Sequence, residues 1–497
     1  MKFFFHKLSP IINDMVNVIF FSDFQKLSKV LKCQFSFTNQ SLKNLESFSC
    51  EINRLVFHTI QTGDSYKQFL FCSLKPSTTL SRIQLHKIGS AISDKLNSIK
   101  ISESSIIFSD SFCKHRESFF ITNICEGIKL KNYIFNKYFI NKKKANRIFL
   151  KTIKIYSLTP EAIHKSFIDR EKIVDSTHFV RDLVSEPANI LNPDTFLNKC
   201  NELQQLGVKI RILDAKNLQK MGMNAISCVG QGSNFGTYVV SMEWNGKKNV
   251  RSNENLIAFI GKGITFDTGG INLKLSGSSL SIMKYDMGGA AVVTGLIKSL
   301  AERKAQVNVI GVIGLAENMI SSLAQRPGDV ITSMSGQTIE VDNTDAEGRL
   351  LLADVMWYVQ QNFKPKIMID LATLTGAIIS ALGYYNAGLF TNNESLAKKL
   401  YQAGKTVGEN IWRLPLDKHY DNLINSKIAD VRNTGRCGAG SITAAQFLQR
   451  FVKKNCSWAH IDIAGVNWLE NGGDFSPSGA SGYGVRLLNE FLIKNYE

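Results

Sequence analysis

Asn343-Thr344-Asp345-Ala346-Glu347-Gly348-Arg349-Leu350 puts two carboxylates, a glycine and a fixed cation into one short stretch, with an apolar run directly behind it. Asp345 and Glu347 are two apart on a loop, so both reach one point only if the backbone curls around it. That geometry suits a bound metal. No cysteine lies between Cys228 and Cys437 and no histidine between His178 and His419. A metal held here must therefore use hard oxygen ligands, with a lysine nitrogen as the further option. Taken alone, the segment also reads as an acidic turn capping the helix that follows. That helix, Leu350 to Gln361, is apolar on nearly all faces and is expected to be buried behind the loop.

Working outward, Leu256-Ile257-Ala258-Phe259-Ile260 reads as a buried strand. It runs into Gly261-Lys262-Gly263-Ile264-Thr265-Phe266-Asp267-Thr268-Gly269-Gly270, which places Lys262 and Asp267 at the strand's C-terminal edge, where open α/β sheets build their sites. Lys274 follows, and Met283-Lys284-Tyr285-Asp286-Met287-Gly288-Gly289 leads into a helical run from Ala290 to Lys304. Gly-Lys-Gly lacks both the lysine-serine ending of a phosphate loop and the glycine spacing of a dinucleotide fold. The gathered aspartates, glutamate and lysines suffice instead for two divalent ions about 3.5–4 Å apart sharing carboxylates, an arrangement of hydrolases. Strand-like runs at Val307 to Ile313, Ile367 to Leu371 and His460 to Ile463 alternate with helical ones. The fold class expected is α/β, with a smaller N-terminal α/β domain and a larger C-terminal catalytic α/β domain around a central mixed sheet.

These segments resemble the leucyl aminopeptidase, or cytosol aminopeptidase, family of bacterial type. The resemblance is carried by N-T-D-A-E-G-R-L, K-G-x-x-F-D-x-G-G, the later lysine and M-K-x-D-M. Ala372-Thr373-Leu374-Thr375-Gly376-Ala377, Trp458-Ala459-His460-Ile461-Asp462-Ile463-Ala464-Gly465 and Gly479-Ala480-Ser481-Gly482 add to it. It runs from about residue 178 to the C-terminus and is faint in the first 150 residues. It implies release of N-terminal amino acids, leucine-like ones preferred, from short peptides by hydroxide generated between two divalent ions, Mn²⁺ or Zn²⁺. Lys262, Asp267, Asp286 and Glu347 would hold the tighter ion, and Asp267, Asp345 and Glu347 the exchangeable one. Lys274 would polarise the scissile carbonyl, Arg349 would hold a bicarbonate, and the chain would assemble as a homohexamer. Two loops are one residue longer than the family pattern, one between Lys274 and Asp286 and the other around Cys437.

At 497 residues the chain is too long for one core. The organisation expected is a basic α/β domain at 1–160, a linker helix at 161–190 and the catalytic domain at 191–497. Nine cysteines form no C-x-x-C pair, which indicates reduced thiols. The opening Met1-Lys2-Phe3-Phe4-Phe5-His6-Lys7 turns polar too quickly for a signal peptide, and no apolar run is long enough to span a membrane. A cytoplasmic protein is expected. Residues 1–160 hold 24 Lys+Arg against 10 Asp+Glu, which leaves +14 of the chain's +17 in that part. A positive face can bind phosphate backbones, so a DNA-binding role centred on Lys142-Lys143-Lys144 is the alternative function. Composition drift toward Lys, Asn, Ile and Phe accounts for the same charge.

Overall fold

The computed structural model describes residues 1–7, 16–21, 24–35, 37, 55–62, 65–73, 80–108, 117–141, 148–247, 256–275, 280–436 and 438–497. Lys142, Lys143, Lys144, Cys437 and residues 276–279 of the longer loop after Lys274 lie outside the described residues. Two compact units emerge, Met1–Val174 with Gly473–Pro477 and Asp175–Gly472 with Ser478–Glu497. The division falls inside one helix, Pro160–Ser185.

The first unit is built on a six-stranded mixed sheet in the order Lys2–Lys7, Thr152–Ser157, Glu103–Phe108, Val16–Phe21, Ser65–Ser73, Leu55–Thr62. Only the last pair is antiparallel. Thr152–Ser157 alternates half-buried and buried residues, the period-two pattern of a pleated strand. The helices Arg82–Ser98 and Glu117–Lys131 cross at Gly89 and Gly127, where an added Cβ would lie 2.2 Å from the facing carbonyl oxygens of Ile124 and His86. Only glycine permits that approach.

The second unit carries an eight-stranded mixed sheet in the order Ile411–Arg413, Ala387–Thr391, Ser457–Asp462, Ile367–Ala372, Ile257–Asp267, Asn308–Asn318, Tyr238–Asn245, Lys209–Leu213. Its central strands pair in parallel and are buried nearly throughout, as continuous apolar runs between two helical layers require. The helix Gly288–Glu302 covers one face, with Val293 and Ile297 against Gly311; the helix Glu347–Asn362 covers the other, with Leu351 and Val355 against Gly314. Glu347–Asn362 is buried over most of its length, in keeping with its apolar sequence. Each fully buried leucine or valine there contributes about 1.5–3 kcal/mol, which fixes how the helix lies on the sheet.

One sequence expectation needs correction. Lys262 is not at the strand's edge: the strand runs on from Ile257 to Asp267, and Lys262 lies in its interior opposite Gly314. The β-branched and aromatic Ile264-Thr265-Phe266 sustain the extended backbone, and pairing with Asn308–Asn318 continues past the glycines.

Candidate metal centre

Lys262 and Asp267 are five apart, so in a regular strand they would point to opposite faces. The register slips by one between Ala316 and Asn318, with Ala316 opposite Ile264 and Asn318 opposite Asp267. Such a bulge moves every following side chain to the other face and brings Asp267 to the side of Lys262. Beyond it the chain turns through Gly269 at φ +89° and Gly270 at φ +67°, left-handed conformations that favour glycine. Asp286 follows a short 3₁₀ turn, Leu280–Tyr285, just ahead of the helix Gly288–Glu302. Glu347 opens the helix Glu347–Asn362 and Asp345 lies in the turn before it.

All five candidate ligands and Lys274 converge. Lys262 Nζ is 2.8 Å from Asp286 Oδ1 and 2.7 Å from Glu347 Oε1, and donates to the Thr373 carbonyl at 2.9 Å. Lys274 Nζ is 2.8 Å from Asp267 Oδ2 and 2.5 Å from Asp345 Oδ1. One oxygen each of Asp267, Asp345 and Glu347 falls within a 4.8 Å span. Asp286 Oδ2 is buried with no hydrogen-bond partner among the described residues. The donors are hard oxygens and one of them is orphaned, so the residues fit divalent cations.

The electrostatics follow from burial. Burial beside Glu347 and Asp267 pushes Asp286 well above the usual carboxylate range despite Lys262. Burial, with Asp267 and Glu347 adding repulsion, raises Asp345 to about 7. Burial opposes the charged forms of Lys262 and Lys274, yet the surrounding carboxylates overcome it and hold both above the usual lysine value. A cation delivered to this cluster would relieve the carboxylate repulsion and lower those lysine values.

Arg349 sits in the first turn of its helix, buried, with Nη1 donating to the Asn433 carbonyl at 2.7 Å and Nε without a hydrogen-bond partner among the described residues. Burial lowers its pKa to about 10. No carboxylate among the described residues pairs with it in a salt bridge. It lines a cavity of about 370 Å³ with Asn272, Asp342, Asn343, Thr434 and Thr443.

Residues without a sequence-assigned role hold the cluster in place. Asp462 accepts from Leu374 N at 3.1 Å and Thr375 Oγ1 at 2.7 Å, steadying the loop whose Thr373 carbonyl receives Lys262. On neighbouring strands, His460 Nδ1 lies 2.5 Å from Asp370 Oδ1, and Trp458 Nε1 donates to Asp370 Oδ2 at 2.7 Å. Asn318 bonds to Asp267 itself. The motifs around 372–377 and 458–465 were visible in the sequence, but nothing in their spacing revealed which atoms would meet.

A central mixed sheet with a buried acidic, lysine-lined centre beside it defines an α/β metallohydrolase. Residues 178–489 match the cytosol aminopeptidase family, catalytic domain. The chain is 49% identical over 393 residues to a probable cytosol aminopeptidase of Phytoplasma mali (strain AT), covering 79% of this chain and 78% of that protein. Probable cytosol aminopeptidases of Ehrlichia ruminantium (strain Welgevonden) and Bradyrhizobium sp. (strain BTAi1 / ATCC BAA-1182) are 48% and 51% identical over 416 and 376 residues. Those alignments cover 83% and 76% of this chain and 81% and 74% of the relatives. The chain belongs to the cytosol (leucyl) aminopeptidase family and is a peptide hydrolase acting as an aminopeptidase. Among the described residues no helix is long and apolar enough to cross a membrane.

Proposed function

We propose that this aminopeptidase removes leucine-like N-terminal residues from short peptides with two divalent ions, Mn²⁺ or Zn²⁺, held by Lys262, Asp267, Asp286, Asp345 and Glu347. The convergence of these residues with Lys274 in one buried cluster carries the reading. The ions would supply a water acidified from 15.7 to about 7, a nucleophile at neutral pH.

Glu347 contacts Lys262, Asp267 contacts Lys274, and both interact electrostatically with the other lysine and with Asp286 and Asp345, which suits them to serve both ions. Lys274, charged and at the more open side of the cluster, donates to the scissile carbonyl oxygen as negative charge develops there. The planar fork of Arg349, with Nε to spare, suits bicarbonate, which would carry the proton toward the leaving amine. The cavity along Arg349, Asn343 and Thr434 gives the substrate room beside these groups. A free α-amine binds at the same centre, so cleavage begins at the N-terminus. The active form is a homohexamer in the cytoplasm.

Hydrolysis of leucine anilide by metal-stripped protein, before and after Mn²⁺ or Zn²⁺ is restored, tests the reading. Activity should return with metal and vanish when the substrate amine is acetylated. Full activity without metal would refute it.

A further inference from the structure

Asn318 ends the strand Asn308–Asn318 and is 1% exposed. Its Nδ2 donates to Asp267 Oδ1 at 2.8 Å and to the Thr344 carbonyl at 3.1 Å. One amide thus spans the two segments that carry the acidic side chains, the strand end at Asp267 and the turn before Glu347. The orientation of the amide is dictated by its partners: a carboxylate and a carbonyl both need donors, and only the NH₂ end offers two. The backbone carbonyl of Asn318 separately accepts from Thr268 N at 3.0 Å and Thr268 Oγ1 at 2.9 Å. The register slip sets Asn318 opposite Asp267, and so places this residue where it can hold that carboxylate.

Asp267 Oδ1 is occupied twice, by Asn318 Nδ2 and by Gly269 N at 2.9 Å. Oδ2 is thereby turned inward, toward Lys274 and the other carboxylates. We infer that Asn318 is a positioning residue for the metal centre, fixing the rotation of Asp267 and its distance from the Thr344–Asp345 backbone, and so setting the affinity for the ion shared by Asp267, Asp345 and Glu347. The inference rests on the proposed reading of those three as ligands. Groups that orient metal ligands are typically worth about 10–100-fold in affinity or activity. Thr344 ties the same segments independently, through Oγ1 to the Gly269 carbonyl at 2.6 Å and N to Asn272 Oδ1 at 2.9 Å. The fold therefore has other tethers when the amide is lost, whereas Asp267 Oδ1 then keeps only the Gly269 N–H, and its rotation is less tightly held.

Asn318→Asp gives a test in which two explanations differ in sign. The substitution keeps the volume and adds a negative charge, and a charge acting through Coulomb attraction alone would strengthen cation binding. Positioning predicts the reverse, because a carboxylate cannot donate to Asp267 and repels it. Mn²⁺ titrations of metal-stripped protein, followed by electron paramagnetic resonance, should show the weaker of two sites loosened by about 10–100-fold. The value of kcat should fall in parallel, with KM within about threefold if the loss lies in the chemical step. Unchanged or tighter Mn²⁺ binding in this variant overturns the inference. Asn318→Ala removes the donor without adding charge and decides the matter should the aspartate variant not fold: looser Mn²⁺ binding supports positioning, unchanged binding overturns it. Asp345→Ala, titrated alongside, must lose one ion. If it keeps both, the ligand reading itself fails, whatever Asn318 does.

Discussion

Asp345 is where proton and cation compete most directly. Its carboxyl, raised to about 7 by burial and by Asp267 and Glu347, is held closer to neutrality than in an unfolded chain. A carboxyl whose folded pKa lies above its unfolded value makes the folded state the better proton binder, so stability falls as pH rises from the unfolded to the folded value. Metal-stripped protein should therefore melt at progressively lower temperature between about pH 4 and pH 7, and Asp345→Asn should flatten the decline. Metal needs the deprotonated carboxylate, so Mn²⁺ affinity should rise over the same interval, and Asp345→Asn should flatten that part of the rise. A pH-independent affinity would show that Asp345 is not a ligand. Direct substitution separates the roles further. Asp345→Ala or Glu347→Ala should abolish hydrolysis and reduce bound metal, because a ligand and a charge disappear together. Lys274→Ala should leave about two ions bound while kcat drops by about 10²–10³, the usual cost of one oxyanion donor. Metal content by emission spectroscopy beside steady-state kinetics distinguishes the two patterns. These residues were legible in the sequence because carboxylates and lysines clustered at loop junctions are chemically conspicuous. Asn318, at the end of an apolar run, was not: an asparagine there is also an ordinary strand terminus, and only the three-dimensional register reveals its partners.

At the scale of elements, the chain's alternation of apolar runs disclosed strands and helices, but the slip between Ala316 and Asn318 left no mark in the pattern. That slip decides which face Asp267 occupies, while regular pairing from Gly261 to Ile264 carries a strand expected to end near Ile260 on toward Asp267. The helix Glu347–Asn362 makes a second such contribution at Gly348. A Cβ there would lie 2.6 Å from Lys262 Cε and 2.8 Å from its Nζ. The lysine cannot simply step aside, since Asp286, Glu347 and the Thr373 carbonyl hold its ammonium on three sides. Gly348→Ala should thus lower stability and activity together. Alanine gains at most about 1 kcal/mol over glycine in a helix, whereas forcing a methyl group into a packed site costs about 1–3 kcal/mol, so the melting temperature should fall. Displacement of Lys262 should meanwhile lower kcat/KM by about 10²-fold, the scale expected when a group is misplaced by about 1 Å. Thermal denaturation beside kinetics reads both, and unchanged activity would show that Lys262 tolerates the shift.

For the whole molecule, the catalytic part was the readable one, because its motifs are dense and chemically specific. The first 150 residues offered only charge and composition, and neither specifies strand order. The basic cluster Lys142-Lys143-Lys144, on which a DNA-binding role would rest, lies outside the described residues, and the charge excess alone does not favour that role over composition. Large apolar side chains stand in water on the single chain, among them Leu275 and Tyr385, each 83% exposed, and Leu323, 71% exposed. Scattered apolar residues are ordinary on any surface, so their weight comes from agreement with the proposed hexamer. Closed symmetric rings are the usual solution for soluble homo-oligomers, and enclosing the active sites would limit entry to short, unfolded peptides. Sedimentation velocity should show a species about six times the 55.5 kDa chain. Activity against folded proteins with accessible N-termini should stay low while short peptides are cleaved. Tyr385→Asp and Leu323→Asp probe the same point, because charge buried in an interface is costly unless paired. If those surfaces join subunits, the variants should sediment as smaller species. A monomer that retains full activity and the same exclusion of folded substrates would place the size filter within the single chain.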